Sequence, residues 1–363
     1  MKDFLVILAF LIPVTVEAQS INEIRGAPER PAIDAFEILK ELVETPGVDS
    51  EQPIREKVRA FLPAWAKPQI DNKGNLIVTF GSGDEHLMFV GHLDEISYTI
   101  TDIKEDGTLQ LENRLGLYDQ YEGHPVVIHT RRGAISGIIT PRIRFVRDET
   151  SKNNDTVLDV RVYLGTNTKR ETEELGIRPG DLITVPKQFV QLANSRATVT
   201  AFDHRSGCTA MILALMKLDP LKVKKRITFA WVVEEQIRLN GAQAIADGAK
   251  ADYVFAVDTF VSSEIAGHDK RLASAPLADA FVIRGVNVSN VTSSSVVNRI
   301  NGIARRHSIP LQVAMTTNGT SGSTLIRSAD TRPGRYYHSP VEVLSKSNLE
   351  ALSKIIQLLV LEF

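Results

Sequence analysis

The sequence predicts an α/β protein, with a mixed, largely parallel sheet flanked by helices and interrupted by a small inserted β-barrel or sandwich. Three observations carry this. The runs HLMFVGH, RITFAWVV and DYVFAVD are apolar almost throughout, as expected of strands buried on both faces. Segments of helical periodicity separate them. From about Tyr98 to Thr198 the texture changes to short alternating segments set off by Gly, Pro and Asp.

Taken in order, Ala32 to Val43 and Glu51 to Leu62 place apolar residues at helical spacing on either side of the turn TPGVDS. NLIVTF and HLMFVGHLDE then read as strands joined by GSGDEH. The segments GTLQL, PVVIHT, GAISGII, TVLDVRVYL and DLITV supply the β-rich insert. After Asp203 the alternation of helix and strand resumes: TAMILALMKL as helix, RITFAWVV as strand, NGAQAIADGA as helix, DYVFAVD as strand, and a helix near Ser293 to His307. The expected organisation is residues 19–97 and 199–363 as one domain, with residues 98–198 inserted into it.

The 363 residues suffice for about two domains. With 42 Lys and Arg against 44 Asp and Glu, bulk charge gives no reason to expect nucleic acid or an anionic membrane as partner. The opening MKDFLVILAFLIPVTVEAQS combines an early lysine, an apolar run and Val-Glu-Ala, the pattern of a signal peptide cleaved after Ala18. Export to a secreted or periplasmic location is therefore expected, with no stable membrane association after cleavage. A single cysteine, Cys208, excludes a disulfide framework and cysteine-cluster metal sites, and its apolar surroundings suit a core position. No GxSxG elbow, P-loop, HExxH or dinucleotide glycine fingerprint is present.

Three apolar strands end in possible ligands: His92 and Asp94, Glu234 and Glu235, and Asp258. Open α/β sheets bind ligands at the carboxyl ends of their strands. Carboxylates converging there repel one another unless a cation lies among them, so a divalent metal is the simplest reading. Asp203 in AFDHRSGC and His338 in RYYHSPVEV complete the set. Adjacent Glu234 and Glu235 can divide the work of base and ligand only if they point differently, which the alternation of side chains at a strand end would supply.

In GHLDEISY, FDHRSGC, VVEE followed by NGA, FAVD and RYYHSPVEV, in that order, the chain resembles peptidase family M42, the tetrahedral and the glutamyl or deblocking aminopeptidases. VDSEQPIREKV, DNKGNLIV and LGIRPGDLITV extend the resemblance over nearly the whole mature chain. It implies the phosphorylase/hydrolase-like fold of zinc exopeptidases and a two-metal aminopeptidase acting on peptides. By position, it implies that His92 and Asp258 hold one ion, Glu235 and His338 the other, and that Asp203 bridges them. Glu234 is implied as general base and Asp94 as the carboxylate that orients His92. The mixed nitrogen and oxygen donors suit zinc, cobalt or manganese. The insert is implied as a dimerisation domain, in a family whose dimers build dodecamers.

The chain departs from the family pattern in two places. Five residues, QIRLN, separate Glu235 from Gly241, and Ser321 stands in NGTSGST where the family has Asp. A metal-dependent deacylase or carboxypeptidase of related fold, and an inactive assembly or binding relative, are the alternative readings.

Overall fold

The computed structural model describes residues 34–112, 121–141, 161–236, 239–246, 250–264, 275–277, 280–286, 291–315, 328–334, 336 and 338–363. The expected signal peptide, the charged stretch Arg142 to Asn154 and Ser321 lie outside these residues. Helix α1 (Ala35–Glu44) begins where the Asp34 carboxylate accepts a hydrogen bond from the Phe36 N–H at 2.7 Å, a side-chain N-cap. Its Phe36, Ile38, Leu39, Leu42 and Val43 fall on one buried face. Helix α2 (Gln52–Phe61) starts with Pro53 in its first turn and buries only Ile54 and Val58. Strands β1 (Gln69–Ile70), β2 (Leu76–Phe80) and β3 (His86–His92) follow, and every residue of β3 is buried.

The next strands are β4 (Tyr98–Ile103), β5 (Leu109–Glu112), β6 (Pro125–Thr130), β7 (Gly133–Ile139), β8 (Arg161–Tyr163) and β9 (Leu182–Thr184), with the short helix α3 (Lys169–Glu174) before the last. They close into a six-stranded barrel in the order β4-β5-β8-β7-β6-β9. Closure leaves no free edge. Alternate residues point inward, so Ile100, Leu109, Val126, Ile128, Ile139, Val162 and Ile183 share one apolar core.

The chain leaves the barrel through β10 (Val190–Leu192) and β11 (Arg196–Val199) and enters helix α4 (Phe202–Lys217). Strand β12 (Arg226–Val232), helix α5 (Asn240–Ala246), β13 (Tyr253–Val261), β14 (Phe281–Val286), helix α6 (Ser294–Arg306), β15 (Leu311–Met315), β16 (Ser328–Gly334), β17 (Glu342–Ser345) and helix α7 (Lys346–Glu362) complete it. The main sheet has eight strands in the order β1-β2-β12-β3-β13-β16-β14-β15. Its centre, β12-β3-β13-β16, is parallel, while β2 and β14 join it antiparallel. A three-stranded sheet, β10-β11-β17, forms separately.

Helix α4 is buried from Phe202 to Leu215 because it lies between the sheet, at β3 and β13, and the helices α1 and α7. That explains why its apolar residues show no single face. Gly207 permits the close approach: a Cβ there would stand 2.4 Å from the Val257 carbonyl oxygen.

An aromatic ladder sets the register that matters for the site. Phe229 of β12 and Phe255 of β13 both pair with Phe89 of β3, with ring centroids 4.9 Å and 5.0 Å away. His92 follows Phe89 by three residues and Asp258 follows Phe255 by three. The two therefore emerge at one level and on one face of neighbouring strands, about 5 Å apart along the sheet.

Candidate metal centre

Each candidate side chain is presented by a strand end or a bent helix start. His92 closes β3 and is 2% exposed. Its Nδ1 lies 3.0 Å from the Asp94 carbonyl oxygen and 3.2 Å from Asp94 Oδ1. A proton held at Nδ1 leaves the lone pair of Nε2 facing Glu235 Oε2, 3.2 Å away. Asp94 also accepts from the backbone N–H groups of Glu235 at 3.0 Å and Gln236 at 2.7 Å. One carboxylate thus orients a ring on one strand and the backbone of the segment after another. Burial alone would raise its pKa, but the His92 charge and these donors hold it below the usual carboxylate value.

Glu234 and Glu235 do diverge, though by a different device from strand alternation. Strand β12 ends at Val232, and Glu234 adopts φ 51°, in the left-handed region. That turn sends Glu235 into the buried cluster, 7% exposed, and Glu234 toward Lys73 and Asn240. The chain is already leaving the sheet here, so pleating no longer sets side-chain direction. Glu234 Oε2 lies 2.7 Å from Lys73 Nζ and accepts from Asn240 Nδ2 at 2.8 Å. These two contacts, Lys73 first, hold its carboxyl below the ordinary value.

Asp203 stands at the start of α4 with ψ 109°, outside helical geometry, after Ala201 in the left-handed region. Its Oδ2 faces His338 Nε2 at 3.0 Å, and its backbone N–H donates to Glu342 Oε2 at 2.8 Å. His338 donates its own N–H to Glu342 Oε1 at 2.9 Å and accepts at its carbonyl from the Tyr121 hydroxyl at 2.8 Å. Asp258 on β13 is 3% exposed, with Oδ2 at 3.8 Å from Arg284 Nη2. Burial opposes ionisation of Asp203 and Asp258, yet neighbouring cationic groups hold both below the usual carboxylate range.

The structure thus brings His92, Asp94, Asp203, Glu235 and Asp258 into one buried cluster, with the half-buried His338 set against Asp203, and with Glu234 at the margin. The donors fit divalent cations. His92 Nε2, Asp203 Oδ1 and Asp258 Oδ2 are buried without a hydrogen-bond partner, an arrangement that costs about 1–3 kcal/mol per atom unless something else satisfies them. Donor atoms of His92, His204 and Glu235 lie within 4.8 Å of one another, as do those of Asp203, His204 and Asp258. Burial works against charge on His92, but Glu235 and Asp94 outweigh it and raise its pKa to about 9. A metal ion would take the place of that proton.

The sequence profile of the M42 glutamyl aminopeptidase family matches residues 74–355, well over half of the chain. The chain belongs to this family. The lysyl aminopeptidase of Pyrococcus furiosus is 25% identical over 351 residues, 90% of this chain and 97% of that one. The glutamyl aminopeptidase of Lactococcus lactis subsp. cremoris is 25% identical over 301 residues, 79% and 82% of the two chains. Among solved structures, the TET1 peptidase of Pyrococcus horikoshii, which can assemble into a tetrahedron or a large octahedral shell, superposes with a TM-score of 0.81 at 29% identity, covering 91% of this chain and 100% of that one. As an M42 member the protein is a metal-dependent aminopeptidase, a hydrolase acting on peptide bonds.

Two residues of this M42 centre escape sequence reasoning. His204 directly follows Asp203 and belongs to both donor groups. Glu342, four residues after His338, joins the segments that carry the candidate ligands Asp203 and His338 through their backbone N–H groups; burial, then the Asp203 charge, raises its pKa to about 8. The quoted pieces FDHRSGC and HSPVEV contain both, and their proximity to Asp203 and His338 was the available signal.

Proposed function

We propose that the protein removes residues from the free N-termini of peptides at a centre of two divalent ions, zinc, cobalt or manganese, with His92 and Asp258 on one ion, Glu235 and His338 on the other, and Asp203 between them. The gathering of His92, Asp203, Glu235 and Asp258 in two groups of closely spaced donor atoms, with His92 Nε2, Asp203 Oδ1 and Asp258 Oδ2 buried and without hydrogen-bond partners and His338 Nε2 3.0 Å from Asp203 Oδ2, is the observation that carries the reading. Divalent cations held there would supply polarisation of the scissile carbonyl and a more acidic attacking water. Asp94 holds His92 in the tautomer that presents Nε2. Glu234, kept ionised by Lys73 and Asn240 at Oε2, takes the water's proton and returns it to the leaving amine nitrogen. The buried walls of β3 and β13 keep bulk water from the ligands.

The same reading assigns residues 19–97 and 199–363 to catalysis and residues 98–198 to dimerisation, with dimers able to build a larger homo-oligomer as the TET1 peptidase does. Residues 1–18 would direct export and be removed after Ala18, which N-terminal sequencing of the mature protein reads directly.

The test loads the mature protein with zinc, cobalt or manganese and offers a mixed peptide pool and its N-acetylated copy, with products read by mass spectrometry. Stepwise loss from free N-termini alone supports the reading. Silence on both pools favours a deacylase or an inactive relative. The Glu234→Gln variant should keep both ions while turnover falls about 10²- to 10⁴-fold. Wild-type turnover in that variant would sink the mechanism.

A further inference from the structure

We propose that His204 is a metal ligand, contributing a ring nitrogen to the ion held between Asp203 and Asp258 and giving this centre a third imidazole. The inference rests on reading the cluster as a divalent-metal centre. None of the roles implied by the family resemblance includes His204.

His204 sits in the first turn of α4, 3% exposed. Its Nδ1 is 3.2 Å from Asp203 Oδ1, its Nε2 touches Asp258 Oδ1, and its ring centroid is 3.3 Å from that of His92. A buried imidazole between two carboxylates normally settles into two well-aligned hydrogen bonds. Here neither nitrogen has one, although both are buried. Two ligand atoms about 2.1 Å from a common ion stand roughly 3–3.5 Å apart, which matches the 3.2 Å between His204 Nδ1 and Asp203 Oδ1. Among the described residues, His204 is also the one side chain common to both candidate donor groups.

A neutral ring has one N–H and one lone pair, so between two carboxylates one contact must set lone pair against lone pair. A cation beside the lone pair would remove that conflict, and the unpartnered oxygens of Asp203 and Asp258 would be available to it. Adding a nitrogen donor shifts the site toward zinc, cobalt or nickel and away from manganese and magnesium, which prefer oxygen. The competing arrangement is an imidazolium clamped between the two carboxylates, tying α4 to β13 without touching metal.

The experiment uses full-length protein loaded with zinc. X-ray absorption counts imidazoles per ion, and chelator competition measures affinity. With His92, His204 and His338 all bound, the wild type should show about 1.5 imidazoles per zinc, falling to about 1 in His204→Asn. Loss of a ligand should weaken one of the two zinc equivalents by more than the roughly 10–100-fold typical of an outer-shell partner. Two tightly held ions at one imidazole each, unchanged in the variant, would overturn the assignment while leaving the two-metal reading intact. A wild type that binds no zinc would overturn both. The wild-type imidazole count decides the question even if the variant folds poorly, and His204→Asp supplies an oxygen donor of smaller size as a second check.

Discussion

Asn75 is the residue whose replacement should reach the active site from farthest away. It is fully buried, and its amide ties together three segments. Oδ1 accepts from the Val233 N–H at 3.0 Å; Nδ2 donates to the Gly241 carbonyl at 3.0 Å and to Asp71 Oδ2 at 2.8 Å. Glu234 and Glu235 lie on the loop between Val233 and Gly241, which is further closed by the Gly241 N–H donating to the Val233 carbonyl at 3.1 Å. In Asn75→Ala, Asp71 keeps its three backbone donors, from Lys73, Gly74 and Asn75, so the loss falls on the Val233 N–H and the Gly241 carbonyl. Each buried backbone group left without its partner costs about 1–3 kcal/mol, and partial relaxation brings the sum to roughly 2–4 kcal/mol. Asn75→Asp should be no better, because it turns a carboxylate oxygen toward the Gly241 carbonyl in a buried site. Urea denaturation of the metal-free protein gives the stability change. Turnover at a temperature where the variant is fully folded gives the effect on Glu234, and kcat should fall while both ions stay bound. A stability change under about 0.5 kcal/mol with unchanged kcat would refute the claim that this amide holds the loop.

Gly207→Ala places a methyl 2.4 Å from the Val257 carbonyl and must push α4 off β13; a loss of about 1–3 kcal/mol in thermal or chemical denaturation is expected, with weakened metal binding because Asp203 and Asp258 move apart. Chelation should lower Tm on the order of 5–15 °C, since each ion at a free concentration near 100 times its Kd contributes roughly 2.7 kcal/mol, and calorimetry with and without zinc reads it. The Asp34 carboxyl is held below its ordinary value first by its hydrogen bond to Lys346 and then by the Phe36 N–H, with burial opposing. A lowered carboxylate stabilises the fold above its unfolded pKa and loses that effect as pH falls through the folded value. The advantage of wild type over Asp34→Asn, at most about 1 kcal/mol for so exposed a pair, should therefore hold at pH 6 and fade below about pH 4 in urea midpoints.

The parts of this molecule visible in the sequence are those fixed by local pattern. The apolar runs of β3, β12 and β13 announce buried parallel strands, and the carboxylates and histidine at their ends stand out because those runs are otherwise apolar almost throughout. The short alternating segments between Tyr98 and Thr184 likewise announce a barrel, since inward and outward residues must alternate on each strand. Strands β14, β15 and β16 and helix α7 carried no comparable signal. β15 is an edge strand with partly exposed positions, and α7 buries residues on several sides, which blurs its periodicity.

What the sequence could not show depends on pairing across the chain. Glu342 matters because two N–H groups, one of them 139 residues away, meet its carboxylate. His204 matters because β13 brings Asp258 against its ring, beside Asp203. The segment QIRLN makes the same point about Glu234. As a string it is a departure from the family pattern near the metal ligands, with no stated consequence beyond the substrate pocket. In the fold its last residue, Asn240, turns its amide onto Glu234 Oε2, while its backbone N–H donates to the Glu234 carbonyl at 3.1 Å. Together with Lys73, that residue fixes the carboxylate proposed to move the proton. The altered segment therefore supplies a positioning contact for the proposed base, and the effect of Asn240→Ala should fall on kcat more than on KM.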